Sequence, residues 1–266
     1  MAVAGALTAL WRYRHFVGGS VRRQFTARYV GSALGAAWNV IQPAITVLIY
    51  TVIFGSIMKA KLPGIDDKLA YGVYLCAGMF TWLLFAEIVG RMSTVFIENA
   101  NMMKKTSFPR ITLPAIVALS SLANFAVVFG LFLVLLLVTG RFPGWELLWS
   151  VPLLVIETAL AVGLGMIAAV LNVFFRDVGQ LVGIVLQFWF WLTPIVYLPT
   201  IVDEPYRDWF DLNPVYPLIL GFQQLIVLGG DPPWQAIAWV GVIALVALAG
   251  GYAIFRRHVG EMVDEL

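Results

Sequence analysis

Along this chain apolar residues come in long blocks, and polar residues come in short clusters between them. The blocks, more than any short motif, predict the elements. From Leu181 to Leu198 no charged residue occurs, which meets the length of about 18 uncharged apolar residues expected of a membrane span. The pair Arg176-Asp177 marks the edge of that block. Reading every block this way predicts six transmembrane helices, over 38–58, 71–97, 111–139, 147–172, 180–198 and 234–255. Together they form one all-α integral membrane domain over 1–266.

The segments between the blocks have characters of their own. Residues 8–31 are interrupted by Arg12, Arg14, Arg22, Arg23 and Arg28, while Leu10, Trp11, Phe16, Val21 and Phe25 recur at spacings close to a helical turn. That pattern predicts an amphipathic helix lying in the membrane surface. Residues 98–110, ENANMMKKTSFPR, form a polar, basic connection, and Pro109 disfavours helix at Phe108. After the fifth block, Asp203, Glu204, Arg207, Asp208 and Asp211 mark an aqueous stretch. The apolar run that follows, within 212–229, is bounded by Pro214, Pro217 and Gly229-Gly230. It is too short to cross and predicts re-entrant helices between spans five and six.

Six crossings put both termini on one face. That face carries Arg12, Arg14, Arg22, Arg23, Arg28, Lys104, Lys105, Arg110, Arg176, Arg256 and Arg257, against Lys59, Lys61, Lys68, Arg141 and Arg207 on the other. Positive residues favour the cytoplasm, so the termini and the 98–110 loop are expected there.

Composition agrees: 61% hydrophobic, 12% charged residues and a mean hydropathy of +0.89 exclude a soluble domain. A net charge of +2, with cations at block ends, gives no patch for nucleic acid. The single cysteine, Cys76, excludes an internal disulfide and reads as a small core side chain. No cleavable signal peptide is expected, since the first long apolar block follows a basic segment. His15 and His258 lack neighbours at metal-ligand spacing and are expected to be solvated. Within the blocks, Glu87 and Arg91 are one helical turn apart, which predicts a local ion pair or a place on a transport path. Gly163 and Gly165 predict close helix contact.

No Gly-x-x-x-x-Gly-Lys-Ser/Thr, His-Glu-x-x-His or Gly-x-Ser-x-Gly sequence occurs, so the chain has no phosphate-cradling loop and none of the common hydrolytic motifs. What it has is an aromatic series, Phe188, Trp189, Phe190, Trp191 and Tyr197. On a helix these rings cover all sides, so some face inward, where they offer broad contact to sugar C–H faces or apolar chains.

FFRDVGQLVGIVLQFWFWLTPIVY (Phe174 to Tyr197), with LNPVYPLILGFQQLI after it, resembles the membrane subunit of type 2 ABC transporters that export polysaccharide, the O-antigen, capsule and teichoic acid group. Trp11 to Gly55 and NMMKKTSFPRITLPA (Asn101 to Ala115) resemble the same group. The resemblance implies a pore-forming, non-catalytic permease that moves a lipid-linked glycan across the bacterial cytoplasmic membrane. It implies a homodimer with two copies of an ATP-binding cassette subunit, which would hold the ATP and Mg; this chain would bind no cofactor. Trp38, Phe188, Trp189, Trp191 and Tyr197 would line the route. Arg22, Arg23, Asn101, Lys104, Lys105, Phe108 and Arg110 would couple it to the ATPase. A type 2 ABC permease for small drugs or lipids is the alternative. The carboxylates Glu87, Glu157 and Asp177 are too scattered to read as a membrane enzyme's acid and base. Spans one to three and four to six show no repeat of the secondary-transporter kind.

Overall fold

The structure is a computed structural model that describes residues 2–27, isolated positions between 38 and 62, and residues 69–105 and 108–266. Every regular element among the described residues is helical. Two helices, α1 (Ala2–Arg12) and α2 (Arg14–Ala27), occupy the predicted interface segment and begin earlier than residue 8. They meet at Tyr13, where hydrogen bonds from Tyr13 N to Ala9 O and from Val17 N to Tyr13 O continue the helical pattern. Next come α3 (Ala70–Glu98), the short α4 (Ala100–Lys105) and α5 (Thr112–Val138). A 3₁₀ turn, Gly144–Trp149, leads into α6 (Ser150–Phe174), followed by α7 (Val178–Leu192). The connection after α7 holds α8 (Glu204–Arg207) and α9 (Tyr216–Gln223), and α10 (Trp234–His258) and α11 (Glu261–Glu265) follow it.

Four helices among the described residues are long and apolar enough to cross a membrane: Ala70–Glu98, Thr112–Val138, Gly144–Phe174 and Trp234–His258. The predicted first span, 38–58, lies outside the described residues except at isolated positions. The fifth block departs from expectation: α7 has 15 residues, a rise of about 22 Å, short of a hydrocarbon core of about 30 Å. Pro194 explains the stop. It lacks an N–H and disfavours helix in the residue before it, and Thr193 is extended, with ψ 127.

The core is built where backbones come close. In a membrane, apolar side chains gain little by leaving lipid, so packing falls to small residues. A Cβ on Gly163 would collide with the backbone of Ala247 and Leu248 on α10, and one on Gly251 would meet the Gly163 carbonyl at 2.7 Å. On the other side of α6, a Cβ on Gly165 would meet Met92 Cβ at 2.7 Å. The two glycines therefore seat α6 between α10 and α3, as their sequence positions predict. Asn172 braces the same helix: Nδ2 donates to Ser93 O at 2.8 Å, and Oδ1 accepts from Gly179 N at 2.9 Å. One amide side chain thus joins α3, α6 and the start of α7. Cys76 is fully buried, as expected of a core cysteine.

Candidate translocation and coupling surfaces

The aromatic series divides in two. Trp189 and Phe190 turn toward the protein: Trp189 meets Phe85 edge-on at 5.3 Å and Trp82 at 6.2 Å, and Phe190 lies 5.9 Å from Trp82. Phe188 and Trp191 point away and are 68% and 61% exposed. With Leu181, Ile184, Val185 and Leu192 they form an exposed apolar stripe at helical spacing. Tyr197 lies beyond the helix end, half-buried, its hydroxyl donating to Trp191 O at 3.0 Å. Trp38 is one of the isolated described positions and is partly exposed.

Beyond the aromatic tip, the end of α7 is tied to the connection that follows it. Trp189 Nε1 donates to Asn213 Oδ1 at 2.9 Å, Asn213 Nδ2 donates to Thr193 Oγ1 at 2.8 Å, and Val215 N donates to Asn213 Oδ1 at 3.0 Å. Arg207 donates to the carbonyls of Pro199, Thr200 and Val202, which fixes the turn before α8. Helix α9 is then buried through Leu218, Ile219, Phe222 and Gln223, and a Cβ on Gly78 of α3 would strike Gln223 Nε2 at 2.6 Å. It continues as a π-turn, Gln224–Leu228, and ends where Gly229 and Gly230 take positive φ. The irregular segment packs against α3 and α6.

At the basic end, the polar connection is itself partly helical. α4 follows α3 after one residue, with Met103 N donating to Asn99 O at 3.0 Å. Asn101 and Lys104 are exposed and Met103 is buried; the Lys105 side chain lies outside the described residues. Phe108, beyond that helix, contacts Phe16 of α2 with ring centroids 5.8 Å apart. Arg110 donates to Val259 O at 3.2 Å and anchors the loop to the chain beyond α10. Arg22 and Arg23 are exposed on α2, where Arg23 donates to Ser20 Oγ at 2.9 Å. His258 departs from a solvated side chain: it is half-buried, Nδ1 donates to Ile254 O at 3.0 Å, and the ring meets Phe174 edge-on.

Glu87 and Arg91 do form the predicted pair, at 3.1 Å. They also reach further than a local pair. Arg91 donates to Gln24 Oε1 of α2 at 2.8 Å and to Ser121 Oγ of α5 at 3.2 Å, while Asn124 donates to Glu87 Oε2 at 2.9 Å. The pair is the centre of a polar joint that fastens α2 to α3 and α5.

A profile of the ABC-2 type transporter family matches residues 17–227. The chain belongs to that family. It is 30% identical to the O-antigen export system permease protein RfbA of Myxococcus xanthus, over 96% of this chain and 97% of the relative. A relative of the same name from Klebsiella pneumoniae is 29% identical over 88% of each chain. The polysialic acid transport protein KpsM of Escherichia coli is 23% identical over 91% of this chain and 92% of its own. The chain is therefore the membrane component of an ABC-2 type transporter.

Four polar residues of this ABC-2 chain were not singled out from sequence: Gln24, Asn124, Asn172 and Asn213. Each is an amide joining two or more elements through hydrogen bonds. For Asn124 and Asn172 the signal was available, since an Asn inside an apolar block must find partners there; Gln24 and Asn213 lie in polar segments that carry no such signal.

Proposed function

We propose that this chain is the pore-forming subunit of an ATP-driven exporter of lipid-linked polysaccharide in the bacterial cytoplasmic membrane. What carries the reading is coverage: a relative named as an O-antigen export permease aligns over 96% of this chain. In this reading the subunit crosses the membrane six times with both termini in the cytoplasm, and 212–229 is re-entrant at the outer face. Two copies meet through the exposed α7 stripe, which brings Phe188 and Trp191 to the shared route together with Trp38 and Tyr197. Trp189 supports that wall from behind. A separate ATP-binding cassette subunit holds ATP and Mg and docks on α2 and residues 98–110.

The contact between Phe16 and Phe108 supports the coupling. A push on the loop reaches α2 directly, and through Gln24 and Arg91 it reaches α3 and α5. The work is done only if the loop makes different contacts in the two nucleotide states. The test replaces Lys104, Lys105 and Phe108 together by Ala in the assembled transporter. ATP hydrolysis should persist while polymer export falls by roughly tenfold, a coupling loss of about 1.4 kcal/mol. Export at the unaltered rate would remove the loop from the mechanism.

A further inference from the structure

Between α1 and the bundle lies a groove of about 420 Å³, within the range of about 300–1,000 Å³ usual for small-ligand sites. Leu10 of α1, Ile111 just before α5, Ala118 of α5, Met166 of α6, and Leu248 and Tyr252 of α10 line it, and among the described residues every side chain in its wall is apolar except that of Tyr252. No residue of α7 contributes, so the groove is separate from the exposed aromatic stripe.

Three of its four walls lead to an arginine at the same end of the bundle. Leu10 is followed one helical turn later by Arg14, and Ile111 is preceded by Arg110. On α10, Leu245, Leu248 and Tyr252 form a single stripe whose next member is the exposed Arg256. Arg14 is held over the Trp11 ring at 4.9 Å, with Trp11 itself exposed, the arrangement of a side-chain pair at a membrane–water boundary. Helices α1, α5 and α10 contain no Asp or Glu, and the one carboxylate of α6, Glu157, is fully buried. The walls therefore lead to arginines at that end and offer no accessible carboxylate of their own, the acidic residues past Arg256 belonging to α11.

We propose that this groove binds one acyl chain of an anionic glycerophospholipid, with the headgroup phosphate at Arg14, Arg110 and Arg256. An apolar slot suits the chain, and the planar guanidinium fork suits the phosphate oxygens. Such a lipid joins α1 to α5, α6 and α10 and acts as a structural ligand, whatever polymer passes elsewhere.

The test uses full-length protein assembled with its partner subunit, stripped of lipid in neutral detergent, and read by native mass spectrometry. Phosphatidylglycerol should be retained at one molecule per chain and about fivefold better than phosphatidylcholine of the same chain length. Ala118→Phe, which fills the slot, should lower retention of both lipids by about fivefold. The double variant Arg14→Gln with Arg256→Gln keeps the slot and should abolish the preference between the two headgroups. If Ala118→Phe fails to assemble, that double variant decides. Equal retention of both lipids by the unaltered protein would overturn the proposal, as would a headgroup preference that survives the double variant. Displacement of phosphatidylglycerol by an equal concentration of polyprenyl phosphate would also overturn it, by assigning the groove to the glycan's carrier.

Discussion

Helices α3 and α7 are both apolar, yet they sit in opposite surroundings. α3 buries residues along its whole length, from Ala70 to Phe96, whereas α7 buries none. The difference lies in what meets them. α3 receives α6 through Gly165, α9 through Gly78 and α5 through the Glu87–Arg91 joint. α7 presents its other side, from Leu181 to Leu192, to nothing among the described residues. In a membrane protein, then, hydrophobic content tells which segments enter the bilayer, and the small and amide residues tell which of them meet protein.

Three variants probe this contrast. The largest effect is expected at the closest approach: Gly163→Leu must force α6 from α10, costing roughly 3 kcal/mol. Thermal unfolding of the detergent-solubilised protein should show it as a large drop in melting temperature, and an unchanged melt would mean the helices separate without loss. An intermediate effect is expected where α7 does touch its own chain. Trp189→Phe keeps the ring contacts with Trp82 and Phe85 but removes the donor to Asn213, a loss of about 1 kcal/mol. The smallest stability change belongs to the exposed stripe: Phe188→Ala with Trp191→Ala should alter the melting of the separated chain by less than about 0.5 kcal/mol. In the assembled transporter the same pair should weaken cross-linking between copies and slow export. A large melting shift with normal export would place those rings in the core of the single chain instead.

Much of this was legible in the sequence. The four long spans follow from long apolar blocks that hold few charges, and Gly163 and Gly165 mark a close helix contact in the sequence itself. The Glu87–Arg91 pair was legible too, because four residues make one helical turn; its partners Gln24, Ser121 and Asn124 come from distant segments that no local pattern links. The end of α7 was misjudged by length alone, since hydropathy counts Pro194 to Leu198 as part of the block while the backbone chemistry of proline ends the helix at Leu192. Which rings face inward was not legible, because four consecutive aromatics have no amphipathic bias; the positions of Trp82 and Phe85 decide it.

The Asn213 side chain is a small rivet with a large mechanical consequence. It grips the indole of Trp189, the hydroxyl of Thr193 and the amide of Val215 at once. The tip of the aromatic helix and the arch of chain after it are therefore fastened together. In the proposed exporter, a stroke that tilts that helix at its far end would carry the Asn213 connection with it, with no second hinge required.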